Sequence, residues 1–130
     1  MIQMYKPFPK PMTTAEKKAK YPLKLTKNFS LWEAVCPCCG FYIIDPRFLR
    51  KLQALRTRIG KAVTVNSWYR CNNHNSSLEG SSENSYHQYG MAADIKVAGM
   101  RPEVLAAHAR AVGLYVIIYS WGCHVDDRNG

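Results

Sequence analysis

In residues 85–97, SYHQYGMAADIKV, a polar turn runs into a strand. Side chains alternate across a strand, so Met91, Ala93, Ile95 and Val97 share one face while Ala92, Asp94 and Lys96 share the other. The first set is apolar and belongs in a core. Asp94 therefore faces a polar cleft, and the small Ala92 leaves room beside it. His87 precedes the strand by a turn that Gly90 permits, so a loop histidine and a strand carboxylate seven positions apart can converge on one point. Near the C-terminus, residues 123–126 (CHVD) begin like another strand, with His124 and Asp126 on one face and Cys123 and Val125 on the other. Two histidines and one carboxylate leave a fourth position open, the usual composition of a catalytic zinc site.

The flanking chain supplies the remaining elements. Ser30-Leu31-Trp32-Glu33 has the capping-box pattern and predicts a short helix that runs into the turn Cys36-Pro37-Cys38-Cys39-Gly40. Asp45-Pro46 opens the clearest helix, with Phe48, Leu49, Leu52, Leu55 and Ile59 as its apolar stripe and Gly60 as its stop. Residues 62–67 predict a strand. Residues 102–112 predict a helix with Val104, Leu105, His108, Ala111 and Val112 on one face, His108 being packed in the core. Residues 114–119 predict a third strand. Residues 71–85 form a polar loop, long enough to need a functional reason. The sum is a small α+β domain in which helices cover an antiparallel sheet.

Charge and cysteines bound the partners. The 130 residues carry +9, and residues 1–27 hold seven lysines against Glu16, a net +6. Pro7, Pro9, Pro11 and Pro22 punctuate that stretch, which reads as an extended basic arm that wraps or trails from a domain at 28–130. The domain itself is only mildly basic, so nucleic acid is not the expected partner; contact between the arm and an anionic cell wall fits the charge better. No apolar run is long enough for a membrane span, and the N-terminus lacks the apolar stretch of a secretion signal. Cys36-x-x-Cys39 with Cys71-x-x-His74 gives a possible second, structural zinc site, the alternatives being reduced thiols or one disulfide from Cys71. Cys38 and Cys123 receive no role. Trp32 and Phe48 read as core. Trp68, Tyr69, Tyr86, Tyr89 and Trp121 crowd the site segments and could line a cleft.

The block Ser85-x-His87-x-x-Gly90-x-Ala92-x-Asp94 followed by His124-x-Asp126 resembles the M15 zinc peptidases, the D-Ala-D-Ala carboxypeptidase and endolysin group, and most closely its short phage-type (M15A-like) branch. The resemblance extends from Asn28 to the C-terminus through FSLWE, LQALRTRIG and SWYR. It implies the D-Ala-D-Ala carboxypeptidase/hedgehog-like fold, with zinc held by His87, Asp94 and His124. It further implies that Arg70 holds a substrate carboxylate or polarises the scissile carbonyl, and that Ser85 binds substrate. The implied activity is hydrolysis of peptidoglycan stem peptides by metal-activated water, as a D,D-carboxypeptidase or endopeptidase. A chain without a secretion signal then suggests a phage or prophage lysin, made in the cytoplasm and acting on the wall after release. Where many members carry the catalytic acid, three positions before the last histidine, this chain has Trp121. Asp126 is accordingly the expected general base. Trp68 and Glu79 also depart from the family's glycines, which predicts altered cleft walls. Loss of the usual acid leaves a second expectation, a zinc-containing wall-peptide-binding module with weak or no catalysis.

Overall fold

The computed structural model describes residues 8–71 and 86–128. It is an α+β domain built on a four-stranded antiparallel sheet in the order β1-β2-β4-β3. The strands are β1 (Thr64–Ser67), β2 (Ala92–Lys96), β3 (Tyr115–Ile118) and β4 (Cys123–Asp126). Among the described residues no helix is long and apolar enough to cross a membrane.

One face of the sheet is core. Ala93 and Ile95 of β2, Cys123 and Val125 of β4 and Val116 of β3 pack there. The helix α3 (Pro46–Ile59) adds Phe48, Leu52 and Leu55, all fully buried, each worth about 2 kcal/mol in removed apolar surface. Its start is fixed by Asp45, whose carboxylate accepts from the backbone N–H groups of Arg47 (2.9 Å) and Phe48 (3.0 Å), and Gly60 ends it. The helix α4 (Pro102–Ala111) buries Leu105, Ala106 and Ala109. The face anticipated from its large residues is displaced: Val104 is exposed, and His108 sits half-buried at the surface, where its Nδ1 accepts from Arg58 Nε at 3.1 Å. Two alanines pack closest because they let the helix approach the sheet, a preference that a tally of bulky residues overlooks.

The N-terminal segment also differs from an extended arm. Residues Thr14–Lys20 form a helix, α1, started by a Thr13/Glu16 capping box. It buries nothing, so an apolar stripe was the wrong signal; the cap and the helix-forming Ala/Glu/Lys composition build it. The segment lies against the domain: the N–H groups of Phe8 and Met12 donate to the carbonyls of Cys38 and Pro37, and Tyr21 Oη donates to Gly40 O at 2.9 Å. Lys17 and Lys18 lie over Trp32, which is half-buried, at the edge of the core. Trp32 belongs to α2 (Leu31–Ala34), where Glu33 accepts from the Ser30 N–H at 2.7 Å.

Candidate metal centre

The opposite face of the sheet carries the chemistry. Asp94 on β2 pairs directly with His124 on β4, so both side chains rise from the same face. On the other side, a register shift between Val65 and Ser67 of β1 brings Ser67 opposite Asp94. Ile117 of β3 flanks His124, and Tyr115 flanks Asp126. The third ligand candidate, His87, stands on a 3-10 turn, Tyr86–Tyr89, that leads into β2. That turn is pinned from both ends: Arg70 N–H donates to His87 O, and Asp45 N–H donates to Gly90 O. Gly90 has φ +68°, and a Cβ there would lie 1.9 Å from Ile43 O. Only glycine fits.

His87 Nε2 and His124 Nδ1 each lie 3.2 Å from the same oxygen, Asp94 Oδ1. One ligand atom from each of the three residues falls within 4.8 Å of the others. The outward nitrogens are occupied. His87 Nδ1 meets Trp68 O at 2.7 Å, and since a carbonyl only accepts, Nδ1 donates there and Nε2 is the ring atom turned to the centre. His124 Nε2 meets Asp126 Oδ2 at 2.7 Å, which leaves Nδ1 to face Asp94. The second oxygen of Asp94 accepts from Arg70 Nη2 at 2.5 Å, while Arg70 Nε donates to Ser67 Oγ at 2.9 Å. Two imidazole lone pairs and one carboxylate oxygen, each with its outer partner in place, suit a divalent zinc ion with an open position.

Electrostatics follow from these contacts. Burial alone would raise the Asp94 carboxyl, but hydrogen bonds from His124 and His87 and the Arg70 charge hold it well below the usual carboxylate range. Burial would lower His124; hydrogen bonds to Asp126 and Asp94 outweigh it and raise the imidazole.

Asp126, the expected general base, lies behind the ring of His124. It is fully buried, its partner His124 Nε2 diverges from the metal-facing Nδ1, and Arg128 closes the remaining side through Nε (2.9 Å to Oδ1) and Nη2 (2.7 Å to Oδ2). Burial raises its carboxyl, yet the bonds from His124 and Arg128 prevail and hold it at about 2. Asp126 thus shares the strand face expected for it, with its oxygens turned to the outer nitrogen of His124 and to Arg128. Asp127 is taken as well, buried and paired with Lys51 Nζ at 2.5 Å. Arg70 is spent first on Asp94 and Ser67. Trp68 is no cleft wall: it is 1% exposed, edge-on to Phe29 and Phe48, and supports His87 through its carbonyl. Tyr69 is likewise buried.

Ser85, His74 and Glu79 lie outside the described residues. The spacing patterns missed Arg128, whose guanidinium also stacks on Tyr115 at 3.7 Å and Tyr86 at 4.8 Å. They missed Tyr119 too, whose hydroxyl is raised by partial burial and then by the charge of Asp94. Tyr119 stacks on the exposed Trp121 with ring centroids 5.5 Å apart.

The family model for Peptidase M15 matches residues 25–126, which include the three candidate ligands and every strand of the sheet. The chain belongs to the peptidase M15 family. No curated protein matches it. Membership makes this α+β domain a peptidase of a metallopeptidase family, and His87, Asp94 and His124 form a group that could hold a metal ion within the matched region.

Proposed function

We propose that this M15 chain is a zinc peptidase that hydrolyses peptide bonds of peptidoglycan stem peptides, as a D,D-carboxypeptidase or an endopeptidase. One observation carries the reading: His87 Nε2, Asp94 Oδ1 and His124 Nδ1 face a common point while their outer atoms are fixed by Trp68, Arg70 and Asp126. When bound by these three residues, zinc supplies a Lewis acid that polarises a carbonyl and activates water.

The chain's own residues do the rest. Arg70 keeps the carboxylate of Asp94 ionised and aimed, and its positive charge favours a substrate that ends in a carboxylate. Ile117, Tyr119 and Trp121, all partly exposed, give the substrate an apolar wall beside His124. Ser85 is proposed as a substrate hydrogen-bonding group. The setting we infer is a phage or prophage lysin acting on the wall after release.

A second reading has its own support. Trp121 stands where many members carry the acid, and Asp126 and Asp127 are both engaged elsewhere. Among the described residues, none of the acids near His124 other than Asp94 faces the centre. A zinc-bearing module that holds wall peptides without cutting them follows from that.

Purified chain incubated with peptidoglycan or defined stem peptides, with and without chelator, separates the two by mass spectrometry of the products. Cleavage that needs metal and disappears in His87→Ala supports the peptidase. Metal-dependent retention of intact peptide would replace it with the binding module.

A further inference from the structure

Away from the peptidase centre, four sulfurs meet. Cys36, Cys38 and Cys39 come from the turn after α2, and Cys71 from the segment after β1; their sulfur atoms all lie within 4.8 Å of one another. Cys38–Cys71 is 3.0 Å, Cys36–Cys38 3.4 Å and Cys36–Cys71 3.6 Å. None of these is a disulfide. In a tetrahedral zinc–thiolate site with bonds of about 2.3 Å, the sulfurs would stand about 3.8 Å apart, close to this cluster.

The backbone is shaped around the sulfurs. Gly40 N–H donates back to Cys36 O, Cys36 N–H donates to Phe41 O, and the Phe41 N–H turns toward the Cys39 sulfur. Gly40 has φ +75°, which reverses the chain there. Tyr69 N–H donates to Ala34 O and sets Cys71 against the turn. Among the described residues the apolar cluster here comprises Cys36, Cys39, Tyr69 and Cys71, with Cys38 packed against it, little aliphatic material to hold two chain segments together.

We propose that Cys36, Cys38, Cys39 and Cys71 bind a structural zinc ion, distinct from the peptidase centre. Cys38 fills the fourth place for which the spacing had suggested His74. The ion would clamp the turn after α2 to the chain at Cys71, one residue beyond Arg70. It thus anchors the backbone from which Arg70 reaches Asp94. This assignment does not depend on the peptidase reading.

Full-length protein, freed of loosely held metal, is assayed for zinc per chain by elemental mass spectrometry. The same forms are then reconstituted with cobalt(II) and their absorption recorded. Wild type is expected to hold two zinc ions and His87→Ala/His124→Ala one, and that double variant with cobalt shows intense thiolate-to-metal charge transfer. Cys36→Ser/Cys71→Ser loses one ion and the charge-transfer band. If the cysteine variant fails to fold, the histidine variant decides alone. A histidine variant that holds no metal, or a cobalt spectrum without thiolate bands, overturns the site, as does an intact mass showing a disulfide in the fresh protein. One ion in wild type that survives in the histidine variant and vanishes in the cysteine variant supports the thiolate site and sinks the His/Asp/His centre instead.

Discussion

His124 is held between two carboxylates, and the distinction between them sets what each can do. Asp94 Oδ1 lies 3.2 Å from Nδ1 and shares its focus with His87; Asp126 Oδ2 lies 2.7 Å from Nε2 and is closed off by Arg128. An orienting carboxylate acts through metal affinity, typically 10–100-fold. Asp126→Asn is therefore expected to weaken zinc binding about 10–100-fold while turnover recovers substantially at saturating zinc. Zinc titration of activity and of metal binding measures both; a base would show unchanged zinc affinity and a turnover loss that zinc cannot restore. Gly90 is the other residue on which the site hangs. A methyl group there meets Ile43 O at 1.9 Å and forces a left-handed conformation, so Gly90→Ala is expected to cost at least ~2 kcal/mol and to displace His87. Urea unfolding gives the first quantity, and residual zinc binding reports the second.

At the scale of elements, the sheet separates its two duties by alternation. Ala93, Ile95, Cys123 and Val125 point to α3 and α4, while Asp94, His124 and Asp126 point the other way. The helix α3 is also tied to the end of β4 by charge, since Lys51 Nζ meets the buried carboxylate of Asp127. Removing one partner strands the other, whereas replacing both removes the desolvation cost along with the attraction. Lys51→Met is expected to destabilise by about 3 kcal/mol, and Lys51→Met/Asp127→Leu to regain most of it, both measured by denaturant midpoints. The elements themselves were legible because their signals are local. Asp45-Pro46 and Gly60 bound α3, Ser30 and Glu33 cap α2, and strand alternation put Asp94 and His124 on the polar faces of their strands, which β2–β4 pairing makes one face. Asp126 shows the limit of that reasoning: alternation gives the face of a side chain, but not which side of a neighbouring ring it contacts. Trp68 shows another limit, since its partners Phe29 and Phe48 come from distant segments. Arg128 was invisible for the same reason, because its role depends on Tyr86 and Tyr115 converging upon it.

For the molecule as a whole, the uneven charge is placed without being buried. Most of the +6 carried by residues 1–27 lies on a segment that packs on the cysteine turn and on Trp32, with the exposed side chains of Lys10, Lys18, Lys20, Lys24 and Lys27 turned to solvent. The sequence showed the charge block plainly; that it folds back depends on single backbone bonds from Phe8 and Met12 to the turn, which no pattern of residue types announces. Fixed to the domain, these lysines form a basic surface, and we propose that it holds the enzyme near an anionic polymer. Such attraction is long-ranged at low salt and is screened over about 8 Å at physiological ionic strength. Lys10→Glu/Lys27→Glu changes that surface by four charges, at exposed positions. The double variant is expected to lose much of its co-sedimentation with teichoic-acid-bearing walls at low salt, with unchanged thermal stability and unchanged cleavage of short soluble stem peptides. Wild type should approach the variant as salt rises. Wall binding that is indifferent to both salt and these lysines would place the anchor in the aromatic wall of Tyr119 and Trp121, and the basic segment would then serve only to cover the cysteine turn.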